Sequence, residues 1–291
     1  MIEAIQVQRK PARASSVRRP PVFWRVVGAL FGIVWLVVSF YPILYILMTS
    51  LRSQQGFLVG NPWLPTSNTT FQNYATVLQA NFGHYFFNSL IVSVASVIFI
   101  VLFAVLFAFV VVRTENRVVR LLFQVFLVGL ALPIQAAIIP IYIMVSHLGL
   151  YDTLLGLILP SVAFGLPLTI LILVNFIRDV PKELYEAMQL EGATDFQVLR
   201  HLVIPVTRPA LVSVGIYDFV QAWNNFLFPL VLTQSDQSRV MPLAIVSFQG
   251  QYTINVPVIM AAVILSALPL ILAYIFGRRY LLQGMLAGFG K

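Results

Sequence analysis

The chain contains no cysteine, which excludes thiol nucleophiles, disulfides and thiolate metal sites together. Charge is also scarce. Only 10% of residues are Asp, Glu, Lys or Arg, where a soluble domain carries about 25%, so an ordinary polar shell cannot be built. No Gly-rich loop ending in Lys-Ser/Thr is present, so the chain has no phosphate-binding loop of its own. It also lacks a second soluble domain and a convincing internal repeat.

What is abundant is apolar. Hydrophobic residues make up 59% of the 291 and the mean hydropathy is +0.90. Six long apolar segments lie near 24–49, 87–112, 119–146, 152–177, 209–233 and 256–277. Each exceeds the roughly 20 residues that a helix rising 1.5 Å per residue needs to cross about 30 Å of hydrocarbon. A membrane strand is about ten residues long with alternating polarity, unlike these runs. The expectation is an all-α polytopic membrane protein with six transmembrane helices.

Charge orients these spans. Sixteen of the 18 Lys and Arg fall before span one, between two and three, between four and five, or after six. The opposite face holds Arg52 and Arg239. Basic residues favour the cytoplasmic side, so both termini are expected there. The net charge of +8 then reflects topology beside anionic lipid headgroups and not nucleic acid binding. Residues 1–22 read as a short basic tail, expected to be disordered. The first span is too long for a signal-peptide core and is expected to be retained. Residues 23–277 form the transmembrane domain, including a cytoplasmic loop at 178–208, and 278–291 form a C-terminal tail.

On the outer side, 50–87 is nearly uncharged and carries Phe57, Trp63, Phe71, Tyr74, Phe82, Tyr85, Phe86 and Phe87. With Pro62, Pro65 and the run Thr66 to Thr70 it reads as a turn-rich loop at the headgroup boundary. It serves as an interfacial lid, as a contact for an extracytoplasmic partner, or as both. Pro42, Pro133, Pro140, Pro160, Pro167, Pro229, Pro257 and Pro269 lie in or beside spans, where each is expected to bend or end a helix.

Polar residues within spans are few. Asp218 lies about nine residues into the fifth, near mid-depth. Gln221, Trp223, Asn224 and Asn225 follow it. A carboxylate at that depth needs a cavity or a partner, which makes it a candidate pathway residue. Interhelical hydrogen bonding is the competing structural role. Asp218 and Asn225 are seven apart and share a helix face, whereas Asn224 points elsewhere, so the three are not expected to line one pore.

The cytoplasmic loop is the most polar module. Asp179 is a possible cap, with Pro181 in the first turn of a helix over Lys182–Leu190. Leu184, Ala187 and Met188 fall on one side, with Glu183, Glu186 and Gln189 outward. Gly192 permits a sharp change of direction. Thr194 and Gln197 form a candidate capping box for a second helix to about Val203, closed by Pro205 and Pro209. Two helices joined by a glycine turn make a projecting knob suited to docking, since a floppy loop would absorb a displacement. A simple surface-lying loop is the alternative.

The run Glu186-Ala187-Met188, Glu191-Gly192-Ala193, Ile204-Pro205 and Pro209 resembles the EAA signature of ABC importer permeases (MetI-like, type I). Met188 replaces the usual second Ala, and Glu191 the usual Asp. Asn73-Tyr74, Phe87-Asn88-Ser89, Pro133, Pro140-Ile141-Tyr142, Leu148-Gly149-Leu150, Asp152-Thr153, Trp223-Asn224, Pro229-Leu230, Gly284 and Gly288 are similar to the carbohydrate-type permeases, of which the smaller permease subunit of the maltose transporter is an example. The resemblance covers nearly all of the chain after Val22. The ending Gly290-Lys291 departs from the usual Ala-Val-Lys-Gly.

The resemblance implies a subunit that makes and breaks no bonds, in a bacterial inner membrane. It would work with a homologous second permease, two cytoplasmic ATPase subunits that hold ATP and magnesium, and an extracytoplasmic solute-binding protein, carrying a sugar. Leu184, Glu186, Ala187, Met188, Glu191, Gly192, Ala193 and Pro205 would form the ATPase-coupling face. Closure of the ATPases on ATP would open the transmembrane cavity toward the binding protein. Other solutes stay open: a polyol, a glycerol-phosphate-like compound or a peptide. So do an Asp218-coupled secondary transporter and a purely structural subunit.

Overall fold

The six apolar stretches become helices, two of them interrupted, in a computed structural model that describes residues 21–61, 63–65, 69–248 and 254–288. Residues 1–20 of the expected basic tail, Pro62, Thr66 to Asn68 and the Gly290-Lys291 ending lie outside the described residues. Among the described residues there is no strand. Four unbroken helices are long and apolar enough to cross a membrane, and two bent pairs bring the number to as many as six.

Two units divide the chain, one ending at Tyr45 and one starting at Ile46. The first unit holds the start of α1 (Val22–Ser50), an apolar helix. The second opens with two short helices, α2 (Gln54–Val59) and α3 (Gln72–Gln79), where the sequence reads as a loop. Ser53 starts α2 by accepting from the Gly56 N–H at 3.1 Å, a standard N-cap. The buried amide of Asn73 anchors α3 by donating to the carbonyls of Ser50 and Arg52, both at 2.7 Å.

Next come α4 (Phe82–Arg113), α5 (Arg117–Gly129), α6 (Ile134–His147) and α7 (Leu154–Arg178). The most extensive helix pair is α4 with α7. Its cause is a stripe on α4: Ser89, Ser93, Ser96, Ile100, Ala104 and Ala108 are all buried. They recur at spacings of three and four, on one face, and most are small. In lipid, where apolar surface gains little by leaving the solvent, close backbone approach and van der Waals packing hold helices together, and small residues allow both.

The third apolar stretch is expected as one span and is sharply bent. It breaks between α5 and α6 with a bend of 110°. Pro133 lacks an N–H and disfavours helix in the residue before it. The chain instead closes three tight turns, Leu130 N–H to Leu127 O, Ala131 to Val128 and Leu132 to Gly129, at 3.0–3.2 Å.

Beyond α7 lie α8 (Lys182–Leu190), α9 (Asp195–Val198), a π-helical turn (Leu199–Val203), α10 (Ile204–Val206) and α11 (Arg208–Trp223). The fifth apolar stretch is also broken, because α11 stops at Trp223 and α12 (Leu227–Leu232) starts after a gap. Asn225 Oδ1 accepts from the Phe228 N–H at 3.1 Å and so caps α12. The remaining helices are α13 (Met241–Ser247) and α14 (Val256–Gly288), the latter running on past the expected span end at 277.

A polar clasp ties the start of α7 to the segment after α12. Asp152, at φ +60°, accepts from the backbone N–H of Gln234 at 2.8 Å and of Ser235 at 3.0 Å, and from the Ser238 hydroxyl. Burial raises the pKa of this carboxyl, but the three donors outweigh it and hold the group at about 2. Asn88 donates to Gln237 O and Arg239 O at 2.8 and 2.9 Å. The Met241 N–H reaches Ser89 Oγ at 2.7 Å.

Candidate functional site

The first site is the hairpin at 178–208. After α8, Gly192 takes φ +80°, with its N–H on Gln189 O and the Ala193 N–H on Met188 O, both at 3.0 Å. That pair of bonds is a Schellman stop. One residue later Thr194 starts α9 with the expected capping box, in which the Thr194 N–H donates to Gln197 Oε1 at 2.7 Å and the Gln197 N–H to Thr194 Oγ1 at 3.4 Å. The helix end and the next helix start are both hydrogen-bonded, so the turn has little slack.

The buried face of α8 differs from the sequence expectation. Tyr185 is the residue driven inward, with Met188 half-buried behind it, while Leu184 and Ala187 are exposed. The reason is a partner that sequence periodicity cannot supply: the Arg113 guanidinium at the end of α4 lies 4.9 Å from the Tyr185 ring centre, a cation–π geometry. The Tyr185 hydroxyl reaches Ile177 O at 3.3 Å. Burial pushes the Tyr185 phenol above its ordinary pKa, with the Arg113 charge opposing. Asp179 ends α7 and does not cap α8, whose N-cap position is Pro181.

Tyr185 belongs to one continuous core with Ala104 and Phe109 of α4, Leu173 and Ile177 of α7, Val198, Leu199 and Val203 of the second hairpin arm, and Val214 of α11. The second arm does not stop at Val203 as expected. It passes through a π-helical turn and continues through Pro205 to Val206, then bends by 76° into α11. What remains outside is an apolar set, Leu184, Ala187, Leu190 and Phe196, rimmed by Glu186, Glu191 and Asp195. Leu190 is 90% exposed. Pro205 is exposed too.

The second site is a cavity of about 380 Å³ bounded by α4, α6, α7, α11 and α12. Asp218, Gln221, Asn224 and Asn225 all line it, together with Ser161, Phe164, Gly165, Tyr217 and Phe228. Asp218 is 2% exposed, and Thr169 donates to its Oδ2 at 2.8 Å. Gln221 donates to the Tyr217 hydroxyl at 3.2 Å.

Sequence periodicity separates Asn224 from Asp218 and Asn225, yet the structure brings the three together. The helix ends at Trp223, so the 3.6-residue period no longer governs Asn224 and Asn225. Trp223 goes the other way. It is buried at 1% exposure, donates from Nε1 to Ser266 O at 3.1 Å, stacks on Phe219 and meets Phe86 edge-on. It is a packing residue against α14 and does not line the large cavity. Thr169, Ser161, Phe164 and Tyr217 escaped the sequence reading, and nothing local in the sequence marks them.

A comparison with protein families matches residues 100–286 to the binding-protein-dependent transport system inner membrane component. The chain belongs to this family. It is thus the permease subunit of an ABC importer, the non-catalytic membrane part. The permease is 40% identical over 262 residues to the ABC transporter permease protein ORF2 of Caldicellulosiruptor sp. (strain Rt8B.4), covering 90% of this chain and 95% of that one. It is 36% identical to the diacetylchitobiose uptake system permease protein NgcG of Streptomyces coelicolor, covering 92% and 88%. Its fold is similar to that in a crystal structure of a bacterial ABC transporter involved in the import of the acidic polysaccharide alginate. That likeness has a TM-score of 0.75 at 23% identity, over 93% of this permease and 99% of that chain.

Proposed function

We propose that this permease carries a sugar or oligosaccharide inward across a bacterial cytoplasmic membrane, with both termini and the 178–208 hairpin on the cytoplasmic side. The observation that carries the reading is the continuity between the hairpin and the membrane core through Tyr185. Its exposed counterpart is the apolar set Leu184, Ala187 and Leu190 with the acidic rim of Glu186 and Glu191. A surface that is apolar at its centre and charged at its edge suits a protein partner, and the rigid seat lets a displacement there reach α4, α7 and α11.

The partners are a second homologous permease, two ATPase subunits and an extracytoplasmic solute-binding protein, with lipid around the helices. ATP and magnesium belong to the ATPases, and this chain binds no cofactor and no nucleic acid. Closure of the ATPases pulls the hairpin and opens the cavity beside Asp218 outward; hydrolysis returns it. Support for the sugar class comes from the diacetylchitobiose uptake relative and from the neutral amides of Gln221, Asn224 and Asn225 around the cavity.

Affinity purification of the tagged chain from native membranes in mild detergent, with mass spectrometry of its partners, tests this. Recovery of an ATPase, a second permease and a sugar-binding protein is the expected result. An active assembly lacking any ATPase overturns the coupling role.

A further inference from the structure

We infer that the cavity beside Asp218 accepts uncharged, hydroxyl-rich sugar rings and turns away acidic ones such as uronates. The inference rests on the sugar-permease reading above and adds the charge class of the substrate.

Its basis is what the wall offers. Among the described residues that line the cavity there is no Lys, Arg or His, and the one carboxylate is Asp218. A volume of about 380 Å³ is in the range of small-ligand sites, about 300–1,000 Å³. The side-chain amides of Gln221, Asn224 and Asn225 each offer donors and an acceptor, which matches hydroxyl groups that also do both. Phe164 and Phe228 meet edge to face at 5.8 Å and add apolar wall for the C–H faces of a sugar ring.

Asp218 presents one oxygen to this space. Oδ2 is held by Thr169, while Oδ1 looks toward Gly165, where an added Cβ would lie 3.4 Å away. The missing side chain leaves that oxygen room to accept from a ligand hydroxyl. A uronate carboxylate entering the same space would find no cation to pair with, in surroundings that screen charge poorly. An unpaired buried charge is strongly unfavourable, so the cavity selects against it.

Because the chain has no cysteine, Ser161→Cys introduces a unique thiol into this subunit at the cavity wall. The assembled transporter, with cysteine-free partner subunits, is treated with methyl methanethiosulfonate, and labelling of the introduced thiol is timed. The probes are maltotriose, triacetylchitotriose and trigalacturonate, added directly without the binding protein. A neutral trisaccharide at about twice its dissociation constant should slow labelling about threefold, and trigalacturonate should leave the rate unchanged. In a second preparation carrying Gln221→Lys as well, which puts a cation on the wall, trigalacturonate should begin to protect.

Equal protection by trigalacturonate with Gln221 intact overturns the charge rule and leaves the sugar pathway standing. Protection by no trisaccharide, in a complex that still takes up sugar, overturns the inference by removing this cavity from the route. A complex that couples ATP to uptake of a non-sugar solute sinks the sugar reading itself, and the inference with it.

Discussion

The guanidinium of Arg113 sits 4.9 Å from the centre of the Tyr185 ring, so the last residue of α4 is the seat of α8. Tyr185 is 4% exposed, and its hydroxyl adds a bond to the end of α7. One ring therefore joins the hairpin to two membrane helices.

Replacing that ring should loosen the hairpin. Tyr185→Ala deletes a buried aromatic, a change that destabilises by about 3–5 kcal/mol in typical cores, and leaves Arg113 facing a void. Tyr185→Phe keeps the ring and loses only the 3.3 Å hydroxyl bond, worth about 1 kcal/mol. The Ala variant should keep ATP turnover and lose most uptake, with faster protease nicking of 182–206; the Phe variant should stay near the parent. Uptake per ATP hydrolysed is the measurement, and equal coupling in both variants would remove Tyr185 from force transmission.

At Gly192 the constraint is backbone conformation and not space, since an added Cβ would meet nothing within 4 Å. A β-branched residue at φ +80° is strained by roughly 1–3 kcal/mol, whereas Asn tolerates the left-handed region. Gly192→Val should uncouple ATP turnover from uptake, and Gly192→Asn should restore most of it. The order of the two variants is diagnostic, and a bulk-dependent loss in both would show that the position is sterically filled by a partner.

Gly165 tests the cavity wall. An added Cβ would lie 2.5 Å from Ile100 Cδ1, the free end of a flexible side chain, and 3.4 Å from Asp218 Oδ1. Gly165→Ala should therefore fold and assemble, with Ile100 shifting, while a methyl group covers the open carboxylate oxygen. Uptake should fall by up to about tenfold, the equivalent of one lost ordinary hydrogen bond of about 0.5–1.5 kcal/mol, with co-purification of partners unchanged. Undiminished uptake would place the substrate elsewhere.

The Asp152 clasp carries a pH signature. Asp152 is depressed to about 2 from an ordinary value near 3.9. Its folded form binds protons less readily than the unfolded form, so its stabilisation is complete above about pH 4. That stabilisation is lost as pH falls through about 2. Hydrogen exchange of the 233–240 segment should accelerate over that window, and Asp152→Asn should be fast at neutral pH and insensitive to acid there. An acid response that survives Asp152→Asn would assign it to another group.

Much of this was legible in the sequence wherever the governing interaction is local. Apolar runs longer than a bilayer is thick gave the helices, and Thr194 with Gln197 gave a cap three residues apart. Gly192 gave the turn. The losses fall where a distant partner decides. Thr169 and Asp218 are 49 residues apart, and Asp152 and Ser238 are 86 apart, so neither bond leaves a local pattern. Periodicity grouped Leu184, Ala187 and Met188 on one side and passed over Tyr185, because it cannot know that Arg113 waits under that ring. It also assumed a helix beyond Trp223, which is why the grouping of Asn224 with Asp218 was missed. The break at Pro133 was readable as a bend, but not its angle.

The π-helical turn at Leu199–Val203 has a mechanical meaning. Leu199, Leu202 and Val203 are buried, so the wider turn is clamped by its neighbours while α8 is clamped by Tyr185. The helix boundaries on either side of α11 fall at Thr207 and at Asn224 to Phe226. On the coupling role proposed above, a push on the hairpin would pass to α11 instead of being spent in the hairpin, and α11 carries Asp218 in the cavity wall.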